Sequence, residues 1–297
     1  MLVLVGCAEP KEKPSLQVVS AFGVAGTGPG EFLTPRGLDW SADRLWVVDR
    51  SGRVQSFDSH LNPLSQIQVT EGDRGFALGI LGNGKGGFDL CDTHKNRIRS
   101  FDGEGLVVAA FGDASSMALP QRAARARDGR LFVCQFGEGD DNCIRVFDRQ
   151  GLPLSRFSSY GRTLGKLTRA MAILIVEGNV FVADASDRIL VFDLDGEFQH
   201  EWGISGTGAG ELRYPYGLAF RDGLIYVCEY ANNRLQRFNL AGNPLGTFGG
   251  PGRSLGEFSG PWDITCGPDG RLYVCDSGNH RVVVLDPDQV NWEGVQG

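Results

Sequence analysis

The sequence predicts an all-β chain folded as a six-bladed β-propeller of four-stranded antiparallel blades, closed by its N-terminal strand. Three observations predict it. One segment grammar recurs six times, its spacing is nearly constant, and a stretch near the N-terminus matches the end of a repeat rather than its beginning. The grammar is plainest in Tyr273-Val-Cys-Asp-Ser-Gly-Asn-His-Arg-Val-Val-Val-Leu-Asp286: an apolar run ends in an acid, a polar loop follows, and an Arg opens a second apolar run. The closing residues stand at 58, 102, 148, 193, 239 and 286, steps of 44, 46, 45, 46 and 47. A fixed period in that range indicates a repeat architecture. Runs of about four to six β-branched and aromatic residues bounded by Gly, Asp, Asn and Pro then select strands over helices.

Each element of the unit has a local reason. Inner strands begin at Pro35, Pro215 and Pro261, where a missing N–H costs no ladder bond. Divergent versions are read at Asp73, Pro120 and Thr168. Second strands such as Leu131-Phe-Val-Cys and Leu224-Ile-Tyr-Val-Cys are continuously apolar, as strands covered on both faces must be. Closing turns such as Asp102-Gly-Glu-Gly and Asn239-Leu-Ala-Gly place Asp or Asn first and Gly fourth. Outer strands end at Phe-Gly or Trp-Gly, and Ser15 to Gly23 has this ending while nothing after Asp286 does. The N-terminal stretch is therefore expected to supply the outer strand of blade six, beside 281 to 286, which removes two exposed edges.

The chain is read as one domain, residues 15–297, preceded by 1–14. Residues Leu4-Val-Gly-Cys7 resemble the end of a bacterial lipoprotein signal, with Cys7 as the lipidated residue and 8 to 15 as a polar tether. The apolar stretch lacks a basic region and is short, so the translation start is expected upstream. This predicts an exported protein whose only membrane attachment is a lipid anchor at the cell envelope. Of the other cysteines, Cys91, Cys134, Cys228 and Cys275 share one repeat position, too far apart for disulfides and better read as small buried thiols. A net charge of −7 removes the positive field that nucleic-acid binding requires.

Together these segments resemble the NHL-repeat family, whose pattern runs from Pro-x-Gly-Leu through Tyr-Val-Ala-Asp and Asn-x-Arg-Val to Phe-Asp and Phe-Gly. Ile225-Tyr-Val-Cys-Glu-Tyr-Ala-Asn-Asn-Arg-Leu235 and Tyr273 to Val282 carry the resemblance most clearly. It implies a six-bladed propeller, expected to be monomeric and used mainly as a binding platform for a protein partner or a small acidic ligand.

Two residue sets follow. The acid ending the second strand and the Arg opening the third recur as Asp49 with Arg53, Asp92 with Arg97, Asp184 with Arg188, Glu229 with Arg234, and Asp276 with Arg281; they read as structural ion pairs. Blade three replaces both partners at once, with Gln135 and Cys143, which spares it an unpaired charge. The second set rings the channel mouth: Arg36, Arg74, Arg122 and Arg169 from four successive blades, Tyr216 and Trp262 from the others. Guanidinium groups beside aromatic faces suit a carboxylate, a phosphate or an anchoring side chain.

Catalytic readings find less. His60, His94, His200 and His280 lie in hairpins and rim loops that do not converge, and no Gly-x-Ser-x-Gly elbow is present. No catalytic residue and no cofactor is expected. The alternative is a hydrolase or lyase with calcium or zinc in the channel, to which Asp39 and Asp263 on the inner strands would contribute. The glycine-rich links such as Gly26-Thr-Gly-Pro-Gly-Glu lead into strands, so they lack the helix N-terminus that would bind phosphate.

Overall fold

A computed structural model describes residues 19–69 and 79–294. Six four-stranded sheets carry the chain, and helical structure among the described residues is confined to three single turns. Blade one runs Pro35–Ser41, Arg44–Asp49, Arg53–Phe57 and Pro63–Gln68, each strand antiparallel to the next. Blades three, four and five repeat that order from Pro120, Ala170 and Pro215. Blade two is described from Gly79 onward.

Blade six is assembled from both ends of the chain. Pro261–Cys266, Leu272–Asp276 and Arg281–Leu285 supply three strands, and Val19–Phe22 supplies the fourth. The register runs Val19 opposite Leu285 to Phe22 opposite Val282, so the ring is clasped where the outer-strand ending predicted. Residues 15–18 of that stretch, like Cys7 and Arg74, lie outside the described residues.

The core sits between blades. Trp46, Phe88 and Phe101 fill the seam of blades one and two, and Phe181, Phe238 and Leu212 that of blades four and five. The second strands are buried throughout, as their unbroken apolar runs require. Each fully buried Leu or Phe contributes about 1.5–3 kcal/mol by leaving water, so the seams supply most of the ring's stability. Cys91, Cys134, Cys228 and Cys275 are buried free thiols within these seams.

The closing turns share one device. The side chains of Asp58, Asp102, Asp148, Asp193 and Asn239 each accept N–H bonds from residues two and four places on. A second device latches blade to blade. Thr34, Leu119, Tyr214 and Gly260, each just before an inner-strand Pro, adopt positive φ. Their N–H groups donate to His280, Asn96, Asp187 and Asn233 of the preceding blade's rim loop, which are themselves left-handed.

Candidate functional site

The rim is tied by the acid and Arg positions of the repeat. Arg97 meets Asp92 at 3.0 Å, Arg188 meets Asp184 at 3.5 Å, and Arg234–Glu229 and Arg281–Asp276 both close to 2.7 Å. Arg53 pairs with Asp49 in the same manner. The guanidiniums also donate to link carbonyls, Arg53 to Gly26 and Arg234 to Gly208 for example. The acids accept the N–H of the residues entering the inner strands, Leu33 to Asp49 and Ser259 to Asp276. In blade three Gln135 accepts from Ala118 N–H instead, and Cys143 carries no charge to be matched.

The glycine-rich links are filled from within. Glu31, Glu211 and Glu257 fold back to accept N–H groups of their own loops, standing where a bound phosphate would stand. A Cβ on Gly26, Gly206 or Gly252 would fall 2.0 Å from that carboxylate, so each glycine makes room for the fold-back.

At the channel mouth the proposed ligand residues separate into three groups. Arg36, Tyr216 and Trp262 come together: the Arg36 guanidinium lies 4.4 Å over the Trp262 ring, and Tyr216 stacks on Trp262 at 4.4 Å with 14° between planes. Tyr230 meets both rings edge-on at 5.2 and 5.4 Å, and Tyr214 continues the stack beyond Tyr216 at 6.2 Å. Burial pushes the Tyr216 phenol up and, with the charge of Arg50 nearby, pushes Arg36 down. A cleft beside the stack is lined by Arg36, Arg50, Tyr230, Asn233, Ser259 and Trp262.

Tyr214 and Tyr230 were missed by the repeat alignment because they stand outside the inner strand, before Pro215 and after Glu229. The signal available was Gly260: at φ 56° it has no Cβ, which would otherwise fall 2.7 Å from the Tyr230 ring.

Arg169 stands next to this group. Ala170, opposite Asp184, takes the place Pro35 holds opposite Asp49, so Arg169 precedes the strand. Its guanidinium covers the Phe136 ring at 4.6 Å and donates to Gln121 at 3.4 Å.

Arg122 points elsewhere. It pairs with Cys134, the register held by Gly37 opposite Val48, one place further along the strand than Arg36. That single step turns it off the mouth and into the channel. There it meets Asp263 at 3.2 Å, and it donates to the Arg36 carbonyl at 2.7 Å. Both side chains are nearly buried, at 7% and 8% exposure for the residues. Burial, opposed by Arg122, leaves the Asp263 carboxyl pushed up to about 6.

Asp39 and Asp263, the two acids weighed for a channel metal, thus differ. Asp263 is answered by a guanidinium and by the Leu38 N–H at 3.1 Å. Asp39 accepts from Gly82 N–H, Trp40 N–H and the Thr265 hydroxyl. Among the described residues no three His, Cys, Asp or Glu side chains gather as a metal site.

The NHL repeat model matches residues 258–285, which span the three C-terminal strands of blade six and the end of the link before them. Protein brain tumor of Drosophila melanogaster is 25% identical over 146 residues, 47% of this chain and 14% of that protein. The chain therefore spans only a small part of that relative's length. A streptogramin B lyase structure superposes with TM-score 0.64 over 90% of this chain and 96% of its own, at 14% identity. Virginiamycin B lyase from Staphylococcus aureus superposes with TM-score 0.62, covering 94% of this chain and 89% of its own at 14% identity. At that identity both show the fold alone. Six four-stranded blades sharing one residue grammar make this chain a six-bladed β-propeller, and its last blade matches the NHL repeat.

Proposed function

We propose that the propeller is a non-catalytic binding platform that takes a protein partner, through an acidic or aromatic anchoring side chain, at the channel mouth. The observation that carries this reading is the stack of Arg36, Trp262, Tyr216 and Tyr214, with Tyr230 set edge-on against it. Tyr214 and Tyr230 remain exposed at 47% and 39%. Tyr, Trp and Arg are the residue types in which binding energy concentrates, and here five of them share one patch of rim. Their rings are held by one another and by the latches, so little side-chain entropy remains to be lost on binding. NHL propellers as a class serve protein interactions, which agrees with this use of the mouth.

The reading extends to the cell envelope, with the chain exported and lipid-anchored through Cys7; in cells that export and lipidate it, Cys7→Ser should move the protein from the membrane to the soluble fraction. The binding claim is tested by affinity capture from the native extract. Trp262→Ala and Arg36→Ala should each lower capture of the partner at least tenfold while melting near the wild type. Capture unchanged in both variants would remove this face from consideration.

A further inference from the structure

The Arg122–Asp263 pair divides the channel, and beyond it lies a second compartment of about 300 Å³. Its walls come mainly from the later halves of the inner strands and mix apolar side chains, Leu81, Leu174 and Phe220 among them, with the polar Arg122, Arg125 and Asp263. Asp39 is set into this wall. Its Oδ2 accepts from Gly82 N–H at 2.7 Å, and its Oδ1 accepts from Trp40 N–H and Thr265 Oγ1–H, both at 2.9 Å. These donors hold the carboxylate in place but bring no positive charge. The two cations lining the compartment are engaged elsewhere, Arg122 by Asp263 and Arg125 by Asp89. Cys266 lines the compartment and, among the described cysteines, alone is not buried.

We propose that this compartment binds a small organic cation, a primary ammonium on a compact apolar body, with the ammonium on Asp39. A concave site with a few fixed polar groups is the usual form of a small-molecule site, and of the charged groups here Asp39 is the acceptor with no ion-pair partner of its own. A carboxylate so placed favours an ammonium over a hydroxyl of equal size, because the charge-assisted bond is the stronger. The site is separate from the channel mouth, so the two readings stand or fall independently.

The test uses benzylammonium and its near-isostere benzyl alcohol, titrated calorimetrically into the full chain. Benzylammonium is expected to bind saturably and ~10-fold or more tighter than the alcohol. Asp39→Asn should bring the ratio close to one, and Leu154→Ala, on the exposed outer strand of blade three, should leave it unchanged. A second readout needs no variant: saturating benzylammonium should slow modification of Cys266 by methyl methanethiosulfonate, followed by peptide mass spectrometry, while benzyl alcohol at the same concentration should not. Absence of saturable binding, an undiminished ratio in Asp39→Asn, or no protection of Cys266 would overturn the proposal. So would stoichiometric calcium or zinc on the purified protein that is lost in Asp39→Asn.

Discussion

Arg122 of blade three and Asp263 of blade six, opposite sectors of the ring, meet across the channel at 3.2 Å. Their link joins three blades, because Arg122 also donates to the Arg36 carbonyl and Asp263 accepts from Leu38 N–H, both in blade one. The pair therefore stands under the mouth stack as its floor.

Removing the cation alone should be costly. Arg122→Met leaves Asp263 buried and charged, and we expect a loss of about 3–5 kcal/mol at pH 7.5 in urea unfolding. At pH 5, where Asp263 takes a proton, the loss should shrink. The double variant Arg122→Met with Asp263→Leu should recover most of it, since no buried charge remains.

The pH dependence has a definite sign. Asp263 is raised from 3.8 to about 6, so the folded chain holds this proton more tightly than the unfolded chain. Its contribution to stability is full below pH 4 and declines as pH rises to 6, by about 3 kcal/mol at 1.36 per unit. The difference in unfolding free energy between wild type and Asp263→Asn should fall across that window and stay level above it. A difference that rises there would contradict the assignment.

The seam between blades six and one is latched by His280, whose Nδ1 accepts from Thr34 N–H at 3.2 Å. Asn96 and Asn233 do the same at other seams with side-chain oxygens. His280→Ala should lose about 1 kcal/mol, and His280→Asn should restore it. Equal melting of the two variants would show that the bond contributes nothing.

The clasp is tested through Phe22, whose ring packs 5.0 Å from Phe57 and 6.0 Å from Phe32, with Val19–Phe22 hydrogen-bonded to Arg281–Leu285. Phe22→Ala should lower stability by about 2–4 kcal/mol. Unfolding should remain a single transition, because the ring opens as a whole.

The blades were legible because their signals are local: the Asp of a closing turn and the Pro of an inner strand each act within four residues. The mouth was legible only in part. Arg36, Tyr216 and Trp262 follow a Pro directly, so their register is pinned. In blade three, where the ladder shifts after the Pro as it does in blades one and five, Gln121 takes the place next to Pro120 and Arg122 falls one position further along. One residue's displacement is enough to turn a side chain from rim to channel. The partnership of Arg122 with Asp263 spans 141 positions and is set by ring geometry, for which a single sequence holds no local sign.

The most direct test of the binding claim is site-specific photocrosslinking in the native extract, with a photoreactive phenylalanine at position 262 and, as a control, at position 154 on the exposed outer strand of blade three. The account predicts one discrete partner crosslinked from position 262, competed away by unlabelled wild-type propeller, and none from position 154. Crosslinks from 154 with none from 262 would place the partner on the outer edge of the ring and contradict it.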